Sequence, residues 1–147
     1  MKSKVVFAVL AIVISGCGTP PVAFEKLPDA DPASAGEVVL VRPKAFIGEE
    51  IAYVVNVDTK DIAELADRQH QRLKLSAGEH RIAIRCYGAF SGWTETTLAQ
   101  RVVAGQTAYL AVAPKQGCAS IAPVPESEGM KMLSNTTATG PGWRLTR

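Results

Sequence analysis

Three cysteines are the residues of this 147-residue chain best placed to do chemistry. Cys17 closes the stretch Ile14-Ser15-Gly16-Cys17, behind Lys2, Lys4 and an unbroken apolar run over residues 5–14. Small residues ahead of a cysteine let the backbone enter a peptidase site, and the thiol can take a diacylglycerol as a thioether. Cys86 and Cys118 are the other two. Set apart from Cys17 they form an even pair, and exported compartments permit disulfides. A bond between them closes a loop of about 33 residues and contributes about 3–4 kcal/mol on the chain-entropy model. Two free buried thiols are the alternative. Zinc is a weaker one, because two cysteines with only His70 and His80 show no ligand spacing.

The remaining polar candidates favour structure over catalysis. His80 follows the turn Gly78-Glu79 and shares a strand face with Ile82 and Ile84. A histidine base needs an orienting partner and a nucleophile within hydrogen-bond reach, and no motif supplies either. Glu49 and Glu50 are adjacent, so on a strand they point to opposite faces and form no carboxylate pair. Asp58 and Asp61 flank a turn, where Asp is favoured for backbone hydrogen bonding, and a calcium site there is a remote alternative. Tyr87, Phe90 and Trp93 sit in a glycine-punctuated connection and are the candidate partner-binding residues. Their alternative role is a plug over an open end of the fold. No cofactor or metal motif is present, no catalytic residue is assigned, and the chain is read as non-enzymatic.

The N-terminal segment resembles a bacterial lipoprotein signal peptide with its lipobox. Its apolar run of ten residues is half of the roughly 20 that span a bilayer, but it suits a secretory signal with a basic start and small residues before the cleavage point. The resemblance implies that Cys17 becomes residue one, carrying several acyl chains, enough for stable anchoring. Gly18, where an Asp would favour retention at the inner membrane, favours an outer-membrane anchor facing the periplasm. An ordinary cleaved signal with an incidental cysteine is the alternative.

Removing residues 1–16 leaves 131 of the 147 residues, enough for one domain. Lys2 and Lys4 leave with the signal, so the 16 Lys and Arg of the full chain become 14, against 14 Asp and Glu. A neutral mature chain without a basic cluster gives no support for nucleic-acid binding. Residues 17–36 are rich in Pro, Ala, Asp and Ser and read as a flexible tether.

From Glu37 short β-branched runs take over. Residues 37–42 (EVVLVR) are apolar on both faces, as in a covered strand. Residues 50–57 alternate, with Ile51, Tyr53, Val55 and Val57 on one side. Residues 79–86 put His80, Ile82, Ile84 and Cys86 on one face, and Arg81 and Arg85 on the other. Further strands are predicted over 61–65, 71–75, 95–103, 106–113 and 119–124, separated by turns at Gly48, Asp58-Thr59, Gly78, Gly105 and Gly117. Residues 60–73 also fit a helical stripe through Ile62, Leu65, Ala66, Gln69 and Leu73. Residues 126–133 (ESEGMKML) predict a short helix, acidic at its start and basic near its end, followed by a loose polar tail. The fold class expected is all-β: a small antiparallel Ig-like or PEGA-like sandwich over 37–125 with a short C-terminal helix.

These pieces resemble the bacterial family catalogued as domain of unknown function 2846. The matching residues are Val39-Leu40-Val41-Arg42-Pro43, Phe46-Ile47-Gly48, Val57-Asp58 leading to Ile62-Ala63-Glu64-Leu65, Leu75, Ala77-Gly78-Glu79-His80 and the late Glu128-Gly129-Met130-Lys131-Met132-Leu133. The chain departs from the pattern at Ala77, where that family usually has Pro, and at His70, where an aromatic is common. The resemblance implies a β-sandwich on a lipid anchor and no enzyme activity. The expected role is an interaction or scaffolding module of the cell envelope, bound to the membrane through Cys17 and meeting an envelope protein. The alternative is an inhibitor or immunity protein that blocks a cell-wall hydrolase with loop 87–93.

Overall fold

The computed structural model of the protein describes residues 20–140; the leader, Cys17 and Trp143 lie outside that range. The described elements follow in chain order as β1 (Ala35–Arg42), β2 (Tyr53–Val57), β3 (Lys60–Leu65), β4 (Gln69–Ser76), β5 (Gly78–Gly88), β6 (Gly92–Val102), β7 (Thr107–Lys115), β8 (Cys118–Val124), α1 (Glu126–Leu133) and β9 (Thr137–Ala138). They build two sheets, one ordered β8-β7-β1-β4-β9 and the other β3-β2-β5-β6. The chain is therefore mostly β, a two-sheet sandwich with one C-terminal helix.

Alternation along the strands decides what each face buries. Val38 and Leu40 of β1 enter the space between the sheets with Tyr53, Val55 and Val57 of β2 and Ile82, Ile84 and Cys86 of β5. Val39 and Val41 point the other way and meet Tyr109, Met132 and Leu133. That second cluster explains why β1 is apolar on both sides: α1 covers its outer face. Glu126 and Glu128 lie in the first turn of α1 and Lys131 in its last, matching the helix dipole. Gly129 faces the Tyr109 ring so closely that a Cβ there would sit 2.3 Å from Cγ. The helix can approach the sheet only because that position has no side chain.

The structure corrects three expectations and decides one alternative. The sandwich is not purely antiparallel, since β1 pairs in parallel with β7 and β4 with β9. Such pairings join segments far apart in sequence and leave no local turn signal. Of the two readings of residues 60–73, the strands over 61–65 and 71–75 are borne out and the helical stripe is not used. Lys60–Leu65 and Gln69–Ser76 are strands, and the intervening turn is closed by Ala66 N–H donating to Gln69 Oε1 at 2.9 Å. Period-two burial wins because Leu73 and Leu75 both have to reach the core. Ile51 lies outside β2 and is exposed. The polar tail is tied down where Thr137 and Ala138 pair with Gln69 and His70.

The stretch read as a tether is partly held. Glu25 N–H donates to Asp61 O at 2.7 Å, and the Glu25 carboxylate meets Lys60 Nζ at 2.9 Å. Leu27 packs against the inter-sheet core, the one large aliphatic side chain of this strap. A cavity of about 370 Å³ remains under it, lined in part by Leu27, Ile62 and Leu73.

Candidate interaction surface

β1, β3, β5 and β7 all finish at one end of the sandwich, where β2, β4, β6 and β8 begin. The side chain that organises this end is Arg42. It follows Val38 and Leu40 in the inward set of β1 and is fully buried. Its Nη1 donates to Ile51 O at 2.5 Å and to Leu65 O at 2.9 Å, and its Nη2 donates to Gly48 O at 2.7 Å. Its guanidinium carbon stands 4.0 Å from the Tyr53 ring centroid, within cation–π range. Only Nε has no hydrogen-bond partner. Burial pushes the guanidinium pKa below its ordinary value, opposed by Tyr53, Asp67 and Glu50. Arginine remains cationic at neutral pH even so.

Arg42 thus ties three backbone carbonyls around one planar cation. Two belong to the connection 43–52 and one to the end of β3. The connection gains further support where Asp67 Oδ1 accepts from Ala45 N–H at 2.9 Å, and where Ile51 N–H donates to Gly48 O at 3.1 Å. Gly48 takes φ +77° at the turn, a conformation that favours glycine. A loop fixed in this way displays its own apolar residues: Phe46 is 96% exposed and Ile47 83%.

The β5–β6 hairpin reaches the same end. Phe90 at its tip is fully exposed. Tyr87 and Trp93 are opposite one another in the β5–β6 register, with ring centroids 5.4 Å apart. Arg85 lies over Trp93 at 4.7 Å and makes a short ion pair with Asp61. The three aromatics expected to act together therefore separate. Tyr87 and Trp93 are half-buried on the outer sheet face, and Phe90 alone projects. None folds over the open end as a plug, because Arg42 and Tyr53 already close it. Phe46 and Ile47 join Phe90 at this end, although in the sequence they carry no signal beyond being apolar near a glycine.

The opposite end holds a constellation that resembles catalytic machinery. His80 Nδ1 is 2.6 Å from Asp58 Oδ2, and Nε2 is 3.5 Å from Ser76 Oγ. The orienting partner and the hydroxyl that no motif announced are both present. Nε2, however, is only 2.8 Å from Ser76 O. A nitrogen that donates to a carbonyl cannot accept the serine proton, so both ring nitrogens are engaged, Nδ1 by the Asp58 carboxylate and Nε2 by the Ser76 carbonyl. Burial pulls its pKa down, but the hydrogen bonds to Asp58 and Ser76 and the Asp58 charge outweigh burial and raise it. Asp58 Oδ1 also accepts from Arg81 N–H at 2.9 Å. The cluster clamps the turns between β2 and β3 and between β4 and β5. Asp61 is spent elsewhere, on Asn56 at 2.7 Å and on Arg85, so Asp58 and Asp61 share no ligand position.

Cys86 and Cys118 are disulfide-bonded with Cα atoms 5.4 Å apart, joining β5 of one sheet to β8 of the other. Thr94 and Thr96 of β6 add hydrogen bonds to Gly117 O and Ala119 O along the same seam. Among the described residues no helix is long and apolar enough to cross a membrane. None of their His, Cys, Asp and Glu side chains group in threes to hold a metal ion. Comparison of the chain with family models, with characterised proteins and with solved structures finds no match.

Proposed function

We propose that the protein is a lipid-anchored module of the cell envelope that binds another protein through the apolar end of its sandwich. The observation carrying this reading is that Phe46, Ile47 and Phe90 are all extensively exposed on two well-supported connections at one end. Apolar side chains gathered into a patch mark interaction sites, whereas scattered ones do not, and aromatic anchors carry much of the binding energy of such contacts. The lipobox-like residues Ile14-Ser15-Gly16-Cys17 support anchoring at Cys17, and Gly18 supports the outer membrane. The sandwich resembling domain of unknown function 2846 then serves as a non-enzymatic scaffold. A doubly engaged His80 in place of a free base supports that view.

The inhibitor reading keeps one observation in its favour: Phe90 stands at the tip of a projecting hairpin, a shape that can enter a cleft. One experiment addresses both. Cells carrying wild type, Phe46→Ser with Ile47→Ser, or Phe90→Ser are crosslinked, and the attached proteins are identified. The module reading expects loss of one partner in both variants, and the inhibitor reading expects loss of a hydrolase in Phe90→Ser alone. Equal recovery with all three chains removes the apolar end from the argument. Labelled palmitate tests the anchor, since Cys17→Ala abolishes incorporation if Cys17 is lipidated.

A further inference from the structure

Four strands end the two sheets: β8 and β9 in one, β3 and β6 in the other. An edge strand presents unpaired N–H and C=O groups, and proteins guard such edges with brevity, proline, bulges or a covering segment. Three of the four are guarded. β9 has two residues. β8 carries Pro123, which has no N–H to offer. β3 has a register shift opposite Val55 and Asn56, and the strap caps it where Glu25 N–H reaches Asp61 O.

β6 has none of these protections. It runs for 11 residues (GWTETTLAQRV) without Pro or Lys, and its register with β5 is unbroken from Gly92 to Val102. Its hydrogen-bonding direction follows from β5. Arg81 N–H donates to Asp58 Oδ1 and Arg81 O accepts from Asp58 N–H, so Arg81 faces β2. The next residue, Ile82, therefore faces β6, where it is opposite Leu98. Leu98 and the alternate residues with it look toward β5. The backbone groups of Trp93, Glu95, Thr97, Ala99 and Arg101 look outward. Among the described residues the only hydrogen bond formed by these outward groups is the one Arg101 O accepts from the exposed Gln100 side chain at 2.8 Å.

The residues along this edge are self-complementary in one register. Antiparallel pairing of two β6 strands about a two-fold axis at Leu98 places Thr97 against the partner's Ala99. It also places Glu95 against the partner's Arg101, and by symmetry Arg101 against the partner's Glu95. All of these are outward-directed residues, so the backbone groups that meet are the free ones. Moving the axis to Thr97 sets Glu95 against the partner's Ala99, and moving it to Glu95 sets two glutamates together. Arg101 forms no ion pair among the described residues, so it is open to a new one. Glu95 already lies 2.5 Å from Arg81 and can bridge both cations.

We propose that β6 is a homodimerisation edge, and that two copies of this chain join their four-stranded sheets by antiparallel β6–β6 pairing in the register centred on Leu98. Such a contact is isologous and closes on itself as a two-fold dimer, and the guarded edge β3 ends the enlarged sheet on both sides. Opposite charges directly across a strand pair favour it and like charges oppose it.

Charge exchange tests this on the purified full-length chain in detergent. Sedimentation equilibrium is expected to show a reversible wild-type dimer. Arg101→Glu alone sets glutamate against glutamate twice, and Glu95→Lys alone sets lysine against arginine twice. Each is expected to weaken self-association by about tenfold or more, the combined effect of two reversed cross-strand pairs. An equimolar mixture of the two variants restores an attractive pair at both positions, so a heterodimer of near wild-type affinity is expected. Unchanged near-ultraviolet circular dichroism shows that each variant is folded, and a chain that fails this check is replaced by Arg101→Asp or Glu95→Arg with the same comparison. A monomeric wild type, a dimer indifferent to both substitutions, or a mixture that stays dissociated overturns the proposal.

Discussion

Replacing Arg42 by Met tests whether one buried cation sets the geometry of the displayed end. Methionine keeps most of the aliphatic stem beside Tyr53 and removes the guanidinium. Three carbonyls lose the guanidinium as a donor: Ile51 O, Leu65 O and Gly48 O, the last of which keeps the Ile51 N–H. Hydrogen bonds to a charged group are worth about 1.5–3 kcal/mol each, so their gross loss is about 5–9 kcal/mol. Two effects reduce it. The variant no longer buries a cation without a carboxylate, which costs several kcal/mol. Ile51 is also exposed, so water can replace part of that bond. A net destabilisation of about 3 kcal/mol remains, which for a domain of this size lowers Tm by about 10–15 °C. Urea denaturation and thermal melts followed by circular dichroism measure it. A second readout is local: trypsin should cut after Lys44 faster in the variant than global unfolding allows, because connection 43–52 opens by itself. Arg42→Lys should fall between the two, since an ammonium cannot span the three carbonyls as a planar fork does. A loss below about 1 kcal/mol with unchanged cleavage at Lys44 would refute the argument, because it would mean that the strand ends hold the connection without Arg42.

Three further outcomes follow from the geometry. Gly129→Ala should destabilise by about 1–3 kcal/mol in urea melts, because overpacking against Tyr109 exceeds the roughly 1 kcal/mol gained in helix propensity; a stabilised variant would show that α1 can lift freely. Cys86→Ala with Cys118→Ala should lose about 3–4 kcal/mol for a sequence separation of 32, and mass spectrometry of unreduced wild type should find the two linked. The histidines should act in opposite directions with pH. His80 has a raised pKa, so its support is complete below about pH 6.5 and fades as pH rises through its folded value. Burial, then the nearby Arg72 charge, lowers the pKa of His70, so its support is complete above about pH 6.5 and fades as pH falls. His80→Gln should therefore lose most stability on the acid side and His70→Gln on the alkaline side; parallel shifts of both profiles would contradict the assignment.

Local patterns made much of this fold legible. The parity of residues 79–86 separates Ile82, Ile84 and Cys86 from Arg81 and Arg85 without ambiguity, and the structure keeps that division. The helix at Glu126–Leu133 is legible because Pro125, the early glutamates and Lys131 all act within two turns. What escaped is non-local. Nothing near Val39 announces that Tyr109 will lie beside it in parallel. Asp58 and Ser76 flank His80 only after two turns are brought to one end. Leu27, the lone leucine among prolines and charges, gives no period from which to infer a strap. Arg42 is the instructive miss. A charged residue at the end of an apolar strand suggests emergence into solvent, yet the inward parity of Val38 and Leu40 carries straight to it. Reading that parity one step further identifies a buried cation, and a buried cation demands carbonyls from elsewhere.

The apolar end and the β6 edge constrain one another. The end is defined by where β5 stops and β6 starts, so it lies at one extremity of β6. In an antiparallel pair that extremity of one copy adjoins the opposite extremity of the other. A dimer formed through β6 therefore turns its two sets of Phe46, Ile47 and Phe90 in opposite directions. A single flat bilayer cannot receive both sets, whatever the length of chain leading back to Cys17. Within such a dimer the apolar ends suit two separate protein partners better than insertion into one membrane. The two proposals meet in one further observable. Crosslinking in cells that carry Arg101→Glu should still recover the partner of Phe46 and Phe90, but with one partner per complex where wild type brings two together.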